Sequence, residues 1–340
     1  WSSNVCSSDL AIVYTGTNAV ELRDLPVPVA PEGWALIHVC YAGICGSDVT
    51  IFLGAHPRAK APLVMGHEFS GHLMQDIPGL PKGALVTVNP LLSCGTCEPC
   101  RSGNSHVCKT LRLLGIDRDG GMAEYAIAPI GMIVPVPEGV SAKLGAFIEP
   151  IAVAVHALHM ANFRAGYSTL VFGAGAIGLA TAITLRRFGA GSVTICEPNP
   201  VRLAIAQSLG FHCLQSGPDL LEQLLAETNG DGYDYVFDCA GHQSVAEILP
   251  DVVKIRGVIE IIAGYKKPPA MNYQKGMFKE FSIQFTRVYT HKDFQIAAKL
   301  SAMEPLFERL VNYELPPEEA QKGFDLLTSP SDAIKVMFRF

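Results

Sequence analysis

The first half of the chain alternates short apolar, β-branched runs with turns that contain glycine and proline. Three such runs are Trp34–Cys40, Ala84–Val88 and Ala123–Ile127. Short strands separated by turn residues at close spacing are typical of a compact β-barrel. The pattern therefore predicts a β-rich domain from Ala11 to about Pro137.

After about Ile151 the pattern changes to an alternation of strands and helices. The predicted strands are Ser168–Phe172, Ser192–Cys196, Tyr233–Asp238 and Gly257–Ala263, and the predicted helices are Ala176–Phe188, Pro200–Leu209 and Ser244–Val253. Strands that alternate with helices predict a doubly wound parallel sheet of the α/β class. After about Arg287 the pattern is again mixed, and it ends in the strand-like run Ala333–Phe338.

Charge and hydropathy exclude several classes of protein. The 26 Lys and Arg against 32 Asp and Glu give a net charge of −6, which argues against a partner with an anionic surface, such as a nucleic acid or a membrane. Hydrophobic residues make up 49% of the chain and charged residues 17%, which is enough apolar material for large buried cores. The uncharged stretch Tyr167–Leu185 approaches the length of a membrane span, but its glycine pattern favours a buried strand followed by a buried helix.

The first ten residues, WSSNVCSSDL, have neither the basic start nor the apolar core of a secretory signal, and we interpret them as a non-native segment. Ten cysteines are spread along the chain, and four of them fall within Cys94–Cys108. Clustered thiols in a chain without a secretory signal bind metal more often than they cross-link. A reducing, cytoplasmic location is therefore expected.

A glycine-rich turn joins the first predicted strand of the α/β region to its helix. Its glycines are Gly173, Gly175 and Gly178, with Ile177 before the last of them. This G-x-G-x-x-G pattern between a strand and a helix is what dinucleotide binding requires. The glycines permit a tight turn and close approach of the backbone to a pyrophosphate, and the helix N-terminus stabilises the phosphate charge.

An acidic residue follows the second predicted strand of this region. Glu197 lies 19 residues after Gly178, where a carboxylate accepts hydrogen bonds from ribose hydroxyls and repels a 2′-phosphate. The segment Pro198–Val201 contains no Lys or Arg, and the nearest cation is Arg202, on the following predicted helix. NAD is therefore favoured over NADP. Arg202 and Ile177 are counted with Glu197 and the three glycines as candidate cofactor-binding residues.

Four cysteines in one loop offer a closed metal site. The spacing Cys94-x2-Cys97-x2-Cys100-x7-Cys108 supplies the four soft ligands of tetrahedral zinc and leaves no open position, so the site is expected to be structural. A ferredoxin-like cluster would place its fourth cysteine at position 104, which is Asn104.

A second ligand set is divided between two segments, Cys45-Gly-Ser-Asp48 and Gly66-His67-Glu68. A thiolate, an imidazole and one carboxylate would leave a fourth position for water or substrate, as catalytic zinc requires.

These motifs together resemble the zinc-dependent medium-chain dehydrogenase family, which includes the alcohol and sorbitol-type polyol dehydrogenases. The resemblance extends from Ala11 to Phe340 and rests on the two catalytic segments, the four-cysteine loop, Asp119–Tyr125, Glu149–His156 and the glycine pattern. It implies a GroES-like β-barrel catalytic domain at residues 11–152, a Rossmann NAD-binding domain at 153–287 and a return to the catalytic domain at 288–340.

The resemblance also assigns metal ligands. Cys45, His67 and Glu149 match positions that bind catalytic zinc, and a glutamate in the third position resembles the polyol branch rather than the branch with a second cysteine. Glu68 matches a residue that approaches the metal, either as an exchanging ligand or as a neighbour of the ligands.

Further roles follow from the same resemblance. Asp48 matches the carboxylate that orients the ligand histidine, and Ser47 matches the hydroxyl that takes the substrate proton. Thr50 stands where many relatives have a relay histidine, and Ile51 stands where the sorbitol enzyme has a pocket tyrosine. Arg287 loosely resembles an arginine that orients polyols, and an exposed arginine in a salt bridge is the alternative.

The expected function is hydride transfer between NAD and a polyol or sugar-derived secondary alcohol, with two zinc ions per chain, in a homodimer or homotetramer. A threonine-dehydrogenase-like role stays open because the cysteine loop and Asp117–Gly120 look similar, although that branch more often has Asp-Pro where this chain has Glu149-Pro150. A simple alcohol dehydrogenase is a further alternative. A non-catalytic zinc and nucleotide sensor would have lost a catalytic ligand, and a zinc-ribbon nucleic-acid module would need more basic residues than Arg101 around its cysteines.

Overall fold

The computed structural model describes residues 8–329 and 331–340. The chain forms two compact units: the described residues up to Glu149 together with Thr290–Phe340, and Pro150–Tyr289. The domain boundaries at 152/153 and 287/288 remain predictions. Residues 1–7 of the segment interpreted as non-native lie outside the described residues, whereas Asp9 begins the first strand.

The first part of the chain contains β1 (Asp9–Gly16), β2 (Ala19–Leu25), β3 (Trp34–Gly43), α1 (Gly46–Phe52), β4 (Leu63–Val64), β5 (Glu68–Leu73), β6 (Leu85–Val88), β7 (Leu91–Leu92), α2 (Glu98–Arg101), β8 (Arg112–Leu113), β9 (Tyr125–Pro129), β10 (Ile133–Pro135), α3 (Ala142–Ala146) and α4 (Ile148–Met160). There follow β11 (Ser168–Phe172), α5 (Ala176–Arg187), β12 (Ser192–Glu197), α6 (Pro200–Ser208), β13 (His212–Gln215), α7 (Leu220–Glu227), β14 (Tyr233–Asp238), α8 (Gln243–Val252), β15 (Val253–Ile261), α9 (Tyr273–Lys279) and β16 (Ser282–Phe285). The last elements are α10 (His291–Met303), β17 (Val311–Leu315), α11 (Ala320–Thr328) and β18 (Lys335–Arg339).

The first unit is built on β3. Ala35, Ile37 and Val39 are fully buried and alternate with half-buried residues, which is the period of a strand with one face on a core. β3 pairs with β5, β9 and β18 in a seven-stranded sheet of order β10-β6-β5-β3-β18-β17, with β9 off that path. A three-stranded sheet, β2-β1-β4, lies apart from it.

Strand pairing brings three distant segments to one end of β3. Gly43 at the end of β3 pairs with Glu68 at the start of β5 and with Met337 in β18. Cys45 follows Gly43 by two residues, and His67 precedes Glu68. The register therefore places the segments of the second ligand set and the C-terminal strand side by side.

The second unit contains a parallel sheet of order β13-β12-β11-β14-β15-β16, which confirms the doubly wound sheet predicted from the alternating pattern. The strand order reverses between β11 and β14, and ligands bind at the carboxyl ends of strands at such a switch point. The uncharged stretch Tyr167–Leu185 forms β11 and most of α5, as interpreted from the sequence. Among the described residues, no helix combines the length and the apolarity needed to cross a bilayer.

Several predicted bounds differ from the structure. β9 begins two residues later than expected because Ala123 instead forms a bridge with Ala11, and the N–H of Glu124 donates to the carbonyl of Leu10. β15 begins earlier, at Val253, directly after α8. The outer strands β13 and β16 were not predicted, because strands of four residues with partly exposed side chains carry little hydrophobic period.

Candidate functional site

The four cysteines of the loop that contains α2 converge on one point. One ligand atom from each of Cys94, Cys97, Cys100 and Cys108 lies within 4.8 Å of the others. The Sγ of Cys97 is 3.4 Å from that of Cys100 and 3.8 Å from that of Cys108, and no disulfide joins them. Four sulfurs at such separations fit the donor set of a tetrahedral zinc ion.

The backbone of this loop stabilises thiolates. The N–H of Cys97 donates to the Sγ of Cys94 at 3.4 Å, and the N–H of Cys94 donates to the Sγ of Cys108 at 3.3 Å. Hydrogen bonds, first of all from the backbone of Thr96, lower the pKa of Cys94 to about 5. Donors that stabilise ionised ligands are typical of the surroundings of a bound metal.

The second ligand set is also assembled. One ligand atom from each of Cys45, His67 and Glu68 lies within 4.8 Å of the others. Cys45 is the N-cap residue of α1 and is half-buried, whereas His67 and Glu68 are 4% and 1% exposed. A thiolate, an imidazole and a carboxylate that are so close and so shielded from water match the donor set of a catalytic zinc ion.

The ring of His67 is oriented by neighbours on α1. Asp48 Oδ1 lies 3.6 Å from His67 Nδ1, and Ser47 Oγ lies 3.5 Å from His67 Nε2. The other oxygen of Asp48 accepts a 2.8 Å hydrogen bond from the N–H of Cys45, so one carboxylate contacts both ligand segments. Burial alone would lower the pKa of His67, but the charges of Asp48 and Cys45 raise it well above its usual value. The site therefore attracts positive charge.

Two facing polar atoms at this site suit a histidine that binds a metal. Among the described residues, Asp48 Oδ1 and His67 Nδ1 are buried without a hydrogen bond and lie 3.6 Å apart, whereas Glu68 Oε2 is ion-paired with Lys335. Buried polar groups are normally hydrogen-bonded, and a metal on the other ring nitrogen would keep a proton on Nδ1 for Asp48 to accept. A metal ion on Cys45 and His67 would supply positive charge to these groups, so the residues fit zinc.

The other residues predicted for this site lie in different places. Glu149 is 5% exposed at the start of α4 and falls outside the group of three ligand atoms. The hydroxyl of Thr50 donates to the carbonyl of Gly46 at 2.9 Å. Ile51 is 1% exposed and belongs to the hydrophobic core, so its role in a substrate pocket stays a prediction. Arg287 is exposed in the segment after β16, and its substrate role also stays a prediction.

The glycine pattern forms a tight turn between β11 and α5. Gly173 has a φ of +97°, which side-chain-bearing residues rarely adopt. A Cβ at Gly178 would lie 1.8 Å from the carbonyl oxygen of Gly173, so only glycine fits there. Gly175 is the N-cap of α5 with open space around it, and Ile177 is half-buried in the first turn. The free N-terminus of α5 is suited to bind a phosphate.

Glu197 lies at the end of β12 beside this turn. Its Oε2 accepts a 2.7 Å hydrogen bond from the N–H of Ala174, and its Oε1 accepts one of 2.9 Å from the N–H of Asn199. Arg202 is half-buried on α6, where its backbone N–H donates to the Asn199 side chain. A cavity of about 510 Å³ is lined by Gly173, Pro198, Ser216, Leu220, Ala240 and His242, among others.

One buried charged residue was missed from the sequence. Lys335 begins β18, is 3% exposed, and forms an ion pair with Glu68. A single lysine in the apolar run Ala333–Phe338 was the available signal, because a charge inside a buried strand requires a partner.

Comparison with known proteins agrees with these features. The family described as the alcohol dehydrogenase GroES-like domain matches residues 31–138, and the family of zinc-binding dehydrogenases matches residues 176–303. The chain is 31% identical to the L-threonine 3-dehydrogenase of Bacillus licheniformis, over 89% of this chain and 90% of that protein. It is also 31% identical to the D-altritol 5-dehydrogenase of Agrobacterium fabrum, over 96% and 98% of the two chains.

A solved structure gives the same result for the fold. An alcohol dehydrogenase of Escherichia coli in complex with NADH superposes with a TM-score of 0.90 at 27% identity, over 98% of this chain and all (100%) of that chain. The predicted GroES-like and Rossmann domains are confirmed by these matches. The chain belongs to the zinc-dependent medium-chain dehydrogenase family and is an oxidoreductase that acts on CH–OH groups.

Proposed function

We propose that the chain oxidises a polyol or a sugar-derived secondary alcohol with NAD as hydride acceptor, and that each chain holds one catalytic and one structural zinc ion. The observation that carries the proposal is the buried group of Cys45, His67 and Glu68, whose ligand atoms lie within 4.8 Å of one another. The cysteine loop, with its four convergent sulfurs, supports the structural zinc.

Cys45, His67 and Glu149 would hold the catalytic zinc, with Glu68 as an exchanging ligand or as their neighbour. Zinc bound there supplies Lewis-acid activation of an alcohol oxygen. Asp48 lies beside Nδ1 of His67 and so directs Nε2 toward the metal. The same carboxylate holds the N–H of Cys45, which fixes the thiolate relative to the imidazole.

Ser47 moves the substrate proton. Its Oγ lies 3.5 Å from His67 Nε2, next to where the alcohol hydroxyl would bind, so it can accept the hydroxyl proton and pass its own toward water. Thr50 lies three residues further along α1 and donates its own proton to Gly46, so its oxygen remains an acceptor for that transfer.

Glu197 and the glycine turn would hold the cofactor. NAD bound there would supply a nicotinamide that accepts hydride from the carbinol carbon. The N-terminus of α5 would bind the pyrophosphate, and Glu197 would accept hydrogen bonds from the ribose hydroxyls. A carboxylate held by two backbone N–H groups repels a 2′-phosphate, which supports NAD over NADP. Arg202 lies on α6 beyond Asn199, whose side chain accepts a hydrogen bond from the backbone N–H of Arg202. We do not propose that Arg202 binds a phosphate group of the cofactor.

The substrate class follows from the acidic ligand. Glu149 would give the metal an oxygen donor in place of a second thiolate, and a harder site more readily accommodates two vicinal hydroxyls. Similarity to a D-altritol dehydrogenase supports a polyol.

The test compares kcat/KM for altritol, sorbitol and other vicinal polyols with kcat/KM for monohydric secondary alcohols of similar size. Polyols should be preferred, and Arg287→Ala should reduce that preference, whereas Arg256→Ala, another exposed arginine of the same unit, should not. Equal or better use of the simple alcohols, unchanged by Arg287→Ala, would assign an ordinary alcohol dehydrogenase pocket instead.

A threonine dehydrogenase activity is the second candidate. Its support is the 31% identity to the Bacillus licheniformis L-threonine 3-dehydrogenase. L-threonine belongs in the same substrate panel. A kcat/KM for threonine above that for every polyol would favour this candidate.

We also propose a homo-oligomer in a reducing cytoplasm. β16 is the outer strand of its sheet, and Phe285 on it and Phe278 on α9 are 67% and 73% exposed, which supports pairing with a second copy. The nine described cysteines form no disulfide, which supports a reducing compartment. Light scattering on the purified protein and on Phe285→Asp tests the oligomer, and cell fractionation tests the location.

A further inference from the structure

Lys335 is a buried cation inside the first unit. Its Nζ forms an ion pair with Glu68, donates a 2.9 Å hydrogen bond to the carbonyl of Ile44, and lies 6.0 Å from the ring centroid of Phe147. A buried ammonium is costly unless it is paired and hydrogen-bonded, so this arrangement needs a reason.

The three groups around Lys335 belong to the segments that carry the metal ligands. Ile44 precedes Cys45, Glu68 follows His67, and Phe147 lies two residues before Glu149. The strand that presents the lysine is fixed, because the N–H of Ile44 donates to the carbonyl of Val336 at 3.0 Å. Lys335 therefore reaches the ligand segments from one rigid position.

Lys335 offsets part of the negative charge at this site. The thiolate of Cys45 and the buried carboxylates of Asp48, Glu68 and Glu149 would carry four negative charges, whereas zinc would carry two positive ones. The buried ammonium of Lys335, which is ion-paired with Glu68 and hydrogen-bonded to the carbonyl of Ile44, supplies a third positive charge. Full coordination of Glu68 to the metal would leave this cation without its main partner.

We propose that Lys335 is a positioning residue that restrains the Glu68 carboxylate and thereby keeps one coordination position of the zinc open for the substrate oxygen. The inference rests on the proposed function, since it presumes a metal on Cys45 and His67. Under this proposal the ion pair with Lys335 holds Glu68, and Glu149 is left as the resting ligand.

The proposed role of Lys335 and a purely structural role predict opposite changes in metal affinity for Lys335→Met. If Lys335 restrains Glu68, Lys335→Met frees a carboxylate for the metal and removes a neighbouring positive charge, so the metal binds about tenfold tighter or more. If Lys335 only supports the segments that carry the metal ligands, its replacement should instead weaken metal binding by roughly 10–100-fold.

The experiment uses the full-length protein loaded with Co²⁺, and Cys45→Ser provides the spectrum of the cysteine-loop site for subtraction. Metal affinity is measured by chelator competition, and the open position is probed by the change in the visible cobalt spectrum on addition of imidazole. Lys335→Met should bind cobalt more tightly and lose the imidazole response. Lys335→Met combined with Glu68→Gln should restore the response, and Lys335→Arg should resemble the wild type.

Weaker metal binding in Lys335→Met, or an unchanged imidazole response, would overturn the inference while leaving the proposed function intact. Absence of cobalt at Cys45 in the wild-type protein would instead remove the proposed function and this inference with it. If Lys335→Met does not fold, Lys335→Gln keeps a donor for Ile44 without the charge and is judged by the same two measurements.

Discussion

Glu197 and Ala174 are joined by a 2.7 Å hydrogen bond from the backbone N–H of Ala174 to the carboxylate. The bond ties the end of β12 to the glycine turn after β11, and a second backbone donor, Asn199, holds the other oxygen. The carboxylate is therefore fixed before any nucleotide is present. A preorganised group binds its ligand at a smaller entropic cost.

Glu197→Gln should reduce the preference for NAD. The substitution replaces the carboxylate, which would accept hydrogen bonds from the ribose hydroxyls and repel a 2′-phosphate, with a neutral amide. A hydrogen bond to a charged group contributes about 1.5–3 kcal/mol to binding. The ratio of kcat/KM with NAD to that with NADP should therefore fall by roughly 10–100-fold. Glu222→Gln, an exposed glutamate on α7, is the charge-matched control. An unchanged ratio would show that Glu197 does not accept hydrogen bonds from the ribose hydroxyls.

Two glycines of the turn should respond differently to alanine. Gly178→Ala places a Cβ 1.8 Å from the carbonyl oxygen of Gly173, so the variant should lose about 3 kcal/mol of stability or fail to fold. Gly175 has a negative φ and no atom within 4 Å of an added Cβ, so Gly175→Ala should fold normally. It should nevertheless bind NAD at least about tenfold more weakly, because the pyrophosphate approaches that backbone.

Thermal unfolding and NAD titration of the two variants check this prediction. Gly131, which also has open space around a Cβ and is far along the chain from the turn, offers a control substitution that should alter neither measurement. NAD affinity unchanged in Gly175→Ala would contradict the assignment of the turn to the pyrophosphate.

Loss of the structural zinc should lower stability, whereas loss of the catalytic zinc should abolish turnover. Metal analysis of the purified protein is expected to give two zinc ions per chain. Cys97→Ser should remove one ion and lower the melting temperature, because structural zinc contributes directly to folding. Cys45→Ser should remove the other ion and abolish turnover while leaving the melting temperature nearly unchanged.

Cys213→Ser is the control for these cysteine variants, since Cys213 lies on β13 outside both ligand groups. A single zinc ion per chain that is unaffected by Cys45→Ser would remove the catalytic assignment of that site.

Glu260 should make the second unit sensitive to pH. It is fully buried on β15, where its Oε1 accepts a 2.6 Å hydrogen bond from Thr286, and burial raises its pKa to about 7. The folded state therefore holds a proton that the unfolded chain releases near pH 4.5, and the free energy of unfolding falls as the pH rises from about 4.5 to 7. The loss should reach about 3 kcal/mol.

Glu260→Gln keeps the shape and the acceptor for Thr286 without the ionisation. Its stability, measured by urea denaturation between pH 5 and 8 (about the range that the titration covers), should lack this fall and exceed that of the wild type at the alkaline end. Glu222→Gln should retain the wild-type pH profile. A Glu260→Gln profile parallel to the wild type would mean that Glu260 stays ionised in the folded protein.

Local sequence predicted the features that depend on short spacing. The four cysteines converge because they lie in one 15-residue loop, from Cys94 to Cys108, so their spacing nearly fixes their geometry. The strand, glycine turn and helix around Gly173 likewise follow from adjacent residues. The alternation of strands and helices was enough to predict the parallel sheet.

The short outer strands and the exact first and last residues of the strands could not be predicted from these local patterns. β13 and β16 have four residues each, and β9 is displaced by a bridge between Ala123 and Ala11, two residues 112 positions apart. These features depend on pairing between segments that are distant in the chain, and the periodicity of apolar residues in one segment does not predict such pairing.

The sequence by itself determined the family, the chemistry of the ligands and the identity of the nucleotide loop, because each depends on residue type at fixed local spacing. Tertiary structure alone decided that Glu149 lies outside the group formed by Cys45, His67 and Glu68, and that Lys335 is the partner of Glu68. Glu68 and Lys335 are separated by 267 positions in the chain. They meet because β5 and β18 pair with the same end of β3, and because a buried charge is stable only beside its counter-charge.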